Sequence, residues 1–252
     1  MQDPLIAASF VALAFLLAGM VKGVVGMGLP AIAIGVLGVV MAPVEAAALL
    51  VVPSLVTNIW QLVAGPSLAA LLRRFATLMI GVCVGTAFGI RFLTGGATLL
   101  ASAALGTVLA LYGALGLISA RMRVRPQSET WLSPIIGVLT GVLTGATGVF
   151  AIPAVPYFSA LGLEKEELVQ MLGILFTVCT AALAIGLIAH GRFPSSVATG
   201  SLFALIPTLG GMLLGQKVRS RLEPQAFRRW FYAALVLLGS YMVARALIKL
   251  YA

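Results

Sequence analysis

Ten apolar runs separated by short polar breaks take up nearly all of this sequence, at roughly 4–21, 27–42, 46–64, 75–93, 98–119, 132–147, 149–162, 167–190, 196–216 and 230–249. A soluble domain covers its surface with about 25% charged residues; this chain has 9%, against 61% hydrophobic. No polar-patterned stretch is long enough to make a soluble head on a membrane anchor. The fold class that follows is all-α, a polytopic integral membrane protein, because only helices and closed barrels satisfy their backbones in lipid.

The formal net charge of +9 could suggest a nucleic-acid partner, but the cations sit in short runs between apolar segments. Arg73-Arg74, Arg121/Arg123/Arg125 and Lys217/Arg219/Arg221 with Arg228-Arg229 read as topology signals facing a cytoplasm and anionic lipid. Membrane lipid is thus an expected partner and nucleic acid is not. Cys83 and Cys179 lie inside apolar runs and read as small buried hydrophobes, with neither a disulfide nor a metal site implied. The opening Met-Gln-Asp-Pro lacks a basic n-region, so residues 5–21 are expected to stay as a first helix.

A glycine- and proline-punctuated stretch occurs once in each half. The first copy is Gly19-Met-Val-Lys-Gly23-Val-Val-Gly26-Met-Gly28-Leu-Pro30; the second is Gly141-Val-Leu-Thr-Gly145-Ala-Thr-Gly148-Val-Phe-Ala-Ile-Pro153. The first three glycines of each share the spacing G-x3-G-x2-G, displaced by 122 residues. Further on, Gly81, Gly85, Gly89 and Arg91 find counterparts in Pro207, Gly211, Gly215 and Lys217 at an offset of 126, and Gly113 matches Gly239. Five comparable elements per half follow, and an odd number places the second repeat upside down. The boundaries are 1–119 for the first membrane repeat, 120–131 for a basic cytoplasmic linker and 132–252 for the second repeat. Counting crossings this way puts twelve cations on one side and four (Arg91, Arg192, Arg245, Lys249) on the other. The positive-inside rule then places both termini outside a bacterial inner membrane.

Paired Gly/Pro interruptions at matching places point to a transporter binding site. In hydrocarbon a broken helix survives only against protein or a polar cavity. Each motif is therefore expected to form the tip of a broken or re-entrant hairpin opening its repeat. A half-helix N-terminus there carries about half a positive charge and offers free N–H groups to an anion. For Gly81, Gly85, Gly89, Gly211 and Gly215 the favoured reading is close helix packing.

The doubled motif resembles the TauE/SafE sulfite-exporter family, also described as the four-toluene-sulfonate-uptake type of permease. Lys22-Gly-Val-Val-Gly-Met-Gly-Leu-Pro30 is similar to the family's N-terminal signature, and Thr144-Gly-Ala-Thr-Gly148 with Pro153 to its second. Val149-Phe150-Ala151 departs from the glycine cluster common at that place. The resemblance implies secondary transport of small anions, typically sulfite, sulfonates or related organosulfur acids, and no enzymatic activity.

The residues agree on an anionic substrate. Lys22 lies inside the first motif, whereas apart from helix-end Glu45 the carboxylates (Asp3, Glu129, Glu164, Glu166, Glu167, Glu223) fall at ends or in loops. The substrate-binding set expected is Lys22, Gly23, Gly26, Gly28, Asn58, Gln61, Thr144, Gly145, Thr147, Gly148 and Thr177. Lys22 is the counter-charge, with a snorkelling interfacial lysine as the alternative. Asn58 and Gln61 share a face, and offset 122 pairs Asn58 with Thr180. Thr144 and Thr147 flank Gly145 and could donate to sulfonate oxygens or equally cap the local backbone. No cofactor is implied. Coupling to H+ or Na+ would use the substrate's own proton, backbone carbonyls or Glu45, whose other role is to stabilise a helix start. Alternating-access transport is the leading function, and an anion channel on the same scaffold is the alternative. An intramembrane enzyme would need an acid near the lone His190, and none is there.

Overall fold

The computed structural model describes residues 4–118, 124–219 and 224–251; Asp3, Arg121, Arg123, Arg221 and Glu223 lie outside the described residues. It is all helical: α1 (Pro4–Val25), α2 (Leu29–Gly38), α3 (Pro43–Val63), α4 (Leu68–Arg74), α5 (Ala76–Thr94), α6 (Thr98–Ile118), α7 (Pro126–Thr147), α8 (Ala154–Ala160), α9 (Lys165–Ala189), α10 (Ser195–Arg219) and α11 (Pro224–Tyr251). Eight of these, α1, α3, α5, α6, α7, α9, α10 and α11, are long and apolar enough to cross a membrane. Their outward faces carry Leu5, Ile80, Phe88, Ile185, Ile206 and Leu237 into the surroundings, as lipid demands.

Only the returning limbs of the two hairpins are short. At 1.5 Å per residue α2 spans about 15 Å, half of a ~30 Å core, and α8 has 7 residues. The incoming limbs α1 and α7 are full spans of 22 residues each. The breaks therefore fall later than the first glycines of each motif. Gly19 and Gly23 lie within α1, and Gly141 and Gly145 within α7. The chain turns where the backbone enters the left-handed region, at Gly26 (φ 82°) and Gly28 (φ 98°) and again at Gly148 (φ 75°). Gly28 is the N-cap of α2 with Pro30 in the first turn, a geometry that a side chain at position 28 would strain. Gly148 closes α7 by donating its N–H to the Thr144 carbonyl at 2.7 Å.

The early glycines make seams between helices. A Cβ built on Gly19 or Gly23 would sit 2.2 and 2.3 Å from the carbonyl oxygens of Thr208 and Met212, and one on Gly211 or Gly215 would meet those of Leu16 and Met20. Helices α1 and α10 thus run parallel with backbones touching. The same holds for α5 and α7, where Gly81, Gly85 and Gly89 face the carbonyls of Pro134, Val138 and Val142, and Gly137, Gly141 and Gly145 return the contact to Leu78, Val82 and Thr86. The packing reading holds for Gly81, Gly85, Gly89, Gly211 and Gly215, and it extends to four glycines of the two motifs. Small residues at helix contacts are how membrane helices approach closely without a hydrophobic drive.

Two further pairs are antiparallel. In α3 and α9, Ser54 meets Thr180 and Gln61 meets Val169; in α6 and α11, Gly106 faces Gly239 and Gly113 faces Tyr232. Pro53 inside α3 cannot donate to the Leu49 carbonyl. Ser201 of α10 supplies that bond at 2.8 Å and accepts the Val52 N–H at 3.0 Å. A proline kink is thereby tolerated in a span because a neighbouring helix repairs the ladder.

Cross-helix contacts define two ends of the bundle. At one, Arg74 at the end of α4 forks onto Glu129 of α7 (2.6 and 2.7 Å), and Gln170 of α9 bonds the α3–α4 turn at Leu62, Gly65 and Ser67. Arg73, Arg125, Arg219, Arg228 and Arg229 occupy helix ends on this basic face, and exposed Trp60, Trp131 and Trp230 lie within the adjoining turns, an interfacial aromatic belt. At the opposite face Arg192 bonds the Thr94 carbonyl and Arg245 that of Val39.

The short α4, not among the ten expected runs, and the start of α7 at Pro126 are what bring Arg74 to Glu129. The hydrogen bond to Glu129 holds the Arg74 guanidinium above its ordinary pKa, against a smaller opposing effect of burial. With the two side chains 44% and 17% exposed, solvent screens the pair. Arg74→Gln should cost at most about 1 kcal/mol, read as a small fall in melting temperature that shrinks further in high salt.

Candidate functional site

Lys22 projects from the last turn of α1 into the bundle, and its side chain is buried. Its ammonium donates to Thr57 Oγ1 at 3.0 Å and to Asn58 Oδ1, both on α3. Snorkelling to headgroups is therefore not its conformation. The partners are oriented by a chain of bonds. Thr57 donates its own hydroxyl to the Pro53 carbonyl (2.7 Å), leaving lone pairs for Lys22. The Asn58 amide nitrogen donates to Ser54 Oγ (3.0 Å) and more weakly to Thr180 Oγ1 (3.4 Å), so its oxygen turns to Lys22. Thr180 spends its proton on the Phe176 carbonyl (2.6 Å) and meets Ser54 at 3.1 Å.

This cluster joins α1, α3 and α9. Every polar side chain in it is at most 5% exposed, so each hydrogen bond forms in a medium of low dielectric. Two of the three N–H groups of Lys22 have partners, and among the described residues no carboxylate forms an ion pair with it. A charge in the bilayer interior with only neutral neighbours is costly to keep. The chemistry on offer is a cationic donor with one N–H free, held in place by neutral amide and hydroxyl groups.

The two backbone breaks also meet, in apolar surroundings. Gly28, Pro30 and Ala31 share a cavity of about 10 Å³ with Val149, Phe150, Ala151, Tyr112 and Phe176, barely the room of one water. Val149, Phe150 and Ala151 fill the second tip and are all buried. Gly148 touches α2, since a Cβ there would lie 2.5 Å from Ile34 Cδ1.

Of the expected binding residues, the structure joins the Lys22 and Asn58 side chains, with Gly23 and Gly26 beside Lys22 in the chain; the polar side chains of the others bond elsewhere. Gln61 donates to the Val169 carbonyl at 2.9 Å and leaves its buried Oε1 unpartnered. Thr144, Thr147 and Thr177 each bond a carbonyl one turn back in their own helix, at 2.7 Å, and Thr147 also accepts the Val149 N–H at 3.3 Å. Gly23 and Gly145 lie in the helix seams, and Gly26 ends the turn after Lys22. Glu45 is exposed in the first turn of α3. Thr57 and Ser54 carry parts of the network that sequence reasoning did not assign. The signal was their spacing, since residues 54, 57, 58 and 61 repeat at three and four and so face one way.

Comparison with known proteins decides the family. The model of the sulfite exporter TauE/SafE family matches residues 11–242. The chain belongs to the TauE/SafE family. It is 26% identical over 230 residues to a protein of Cupriavidus necator named "Probable sulfite/organosulfonate exporter TauE", covering 89% of each chain. No solved structure matched. TauE/SafE proteins are membrane exporters rather than enzymes, in keeping with eight apolar spans.

Proposed function

We propose that this TauE/SafE protein exports small sulfur oxyanions, sulfite and organosulfonates, as a secondary transporter of the bacterial inner membrane, with Lys22 as the anion's counter-charge. The observation that carries the reading is the acid-free burial of Lys22 between Thr57 and Asn58. An oxyanion placed at its free N–H would neutralise the lysine and complete its hydrogen bonding. Thr57 and Asn58 would hold the ammonium in position as the anion arrives and leaves.

The directions of the helices support an inverted repeat. A two-fold axis in the membrane plane, relating α1, α2, α3, α5 and α6 to α7, α8, α9, α10 and α11, exchanges the parallel pair α1–α10 with α7–α5. The same axis requires α3–α9 and α6–α11 to be antiparallel with themselves, which is how they run. The distribution of cations supports a cytoplasmic basic face and external termini. Coupling to a proton carried on the substrate, with no carboxylate relay, fits the exposed position of Glu45.

Proteoliposomes loaded with labelled sulfite provide the test. Efflux should saturate with internal sulfite and accelerate when unlabelled sulfite is supplied outside. Large ohmic currents without such acceleration would instead establish a channel and end the transporter reading.

A further inference from the structure

We propose that the cavity between the ends of α2, α6 and α11 is a second oxyanion site, on the face of the bundle opposite the basic one. The cavity has a volume of about 230 Å³ and is lined by Arg245, Lys249, Ser102, Thr98 and the chain between Gly38 and Ala42, with no carboxylate among its lining residues. Two of the four cations on a face otherwise poor in them converge on this one space.

Three features aim positive charge into it. Arg245 is partly buried and donates one N–H to the Val39 carbonyl, which keeps the guanidinium over the cavity instead of extended towards headgroups. Lys249 lies one turn further along α11 on the same side, so the two cations sit at the i, i+4 spacing. The N-terminus of the 21-residue helix α6 begins at Thr98, and its dipole adds partial positive charge. The Ser102 hydroxyl also lines the space and sets a neutral donor beside the charges. A planar fork with a point charge and a hydroxyl is the set that recognises a sulfonate, sulfite or phosphate group.

The site is independent of the Lys22 cluster. That cluster sits near the basic face, and the apolar packing of Leu29, Ala33, Ile34 and Leu37 along α2 separates the two. The shared chemistry admits two sources, a free oxyanion in transit or the phosphate of a lipid headgroup.

The test uses the full chain in neutral detergent, titrated with sulfite and with methanesulfonate by calorimetry. Native mass spectrometry of the protein supplied with phosphatidylglycerol runs alongside. The wild type should bind two anions per chain and Arg245→Gln/Lys249→Gln one. Lys249→Gln alone, at an exposed position that does not threaten folding, should weaken the second site at least tenfold. Lys22→Met should remove the other anion, so loss of that site alone bears on the proposed function and leaves this inference standing. If the double variant loses only retained phosphatidylglycerol, the site is an oxyanion site held by lipid. If neither anion stoichiometry nor lipid retention changes in the double variant, the inference is overturned.

Discussion

Lys22→Met should lower sulfite efflux from proteoliposomes on the order of a hundredfold or more, with folded protein still recovered from the membrane. Truncating one member of a buried, hydrogen-bonded charge pair costs about 2–5 kcal/mol, and in the proposed mechanism the anion is the other member. Methionine keeps an unbranched apolar stem, one atom shorter than the lysine side chain, so most of the packing is retained while the charge and its N–H groups are lost. Melting temperature should hold or rise, because an unpaired charge buried in the bundle opposes folding. Asn58→Leu should also depress transport, by releasing Lys22 from one of its two partners. Efflux by Lys22→Met within threefold of wild type would remove the lysine from the mechanism.

The second large effect concerns stability. Gly211→Ala should prevent accumulation of folded protein, while Gly210→Ala, its immediate neighbour, should be neutral or mildly stabilising. A Cβ at Gly211 would lie 2.0 Å from the Leu16 carbonyl oxygen, whereas one at Gly210 has nothing within 4 Å. The contact at Gly211 is with backbone, which cannot rotate away, so the whole α1–α10 seam must open. Overpacking costs about 1–3 kcal/mol where side chains can yield, and here they are not the obstacle. Alanine at an open helical position gains up to about 1 kcal/mol over glycine. Gly85→Ala, facing the Val138 carbonyl at 2.2 Å, tests the α5–α7 seam in the same way. Thermal melting followed by size-exclusion chromatography reads all three; equal behaviour of positions 210 and 211 would refute the seam argument.

The two glycine motifs show what local sequence can disclose. That the helices break near them was legible, because Gly28 with Pro30 and Gly148 before Pro153 are signals of backbone conformation and act within a few residues. That Gly19, Gly23, Gly141 and Gly145 serve helix contacts was not legible from their spacing, since G-x3-G suits a tip and a seam alike. The difference lies in which carbonyl faces each glycine, a property of a partner helix about 60 to 190 residues away in the chain. The polar cluster divides along the same line. Lys22 and Asn58 stood out as polar groups in apolar runs, but their junction depends on how α1 and α3 are rotated. Gln61 and Thr177, equally polar on paper, turn to backbone carbonyls instead. Helix α4 escaped notice because seven residues after Pro66-Ser67 make too short a run to show a period.

The seams also limit how such a molecule can move. Each joins a helix of the first half to one of the second, α1 to α10 and α7 to α5, so swinging one half of the chain away from the other would tear both. The stiff bodies are these cross-paired couples, each built from both halves of the sequence. In the proposed transport cycle, rocking would pivot where the couples adjoin, along α3 and α9, which meet through the Ser54, Asn58 and Thr180 side chains.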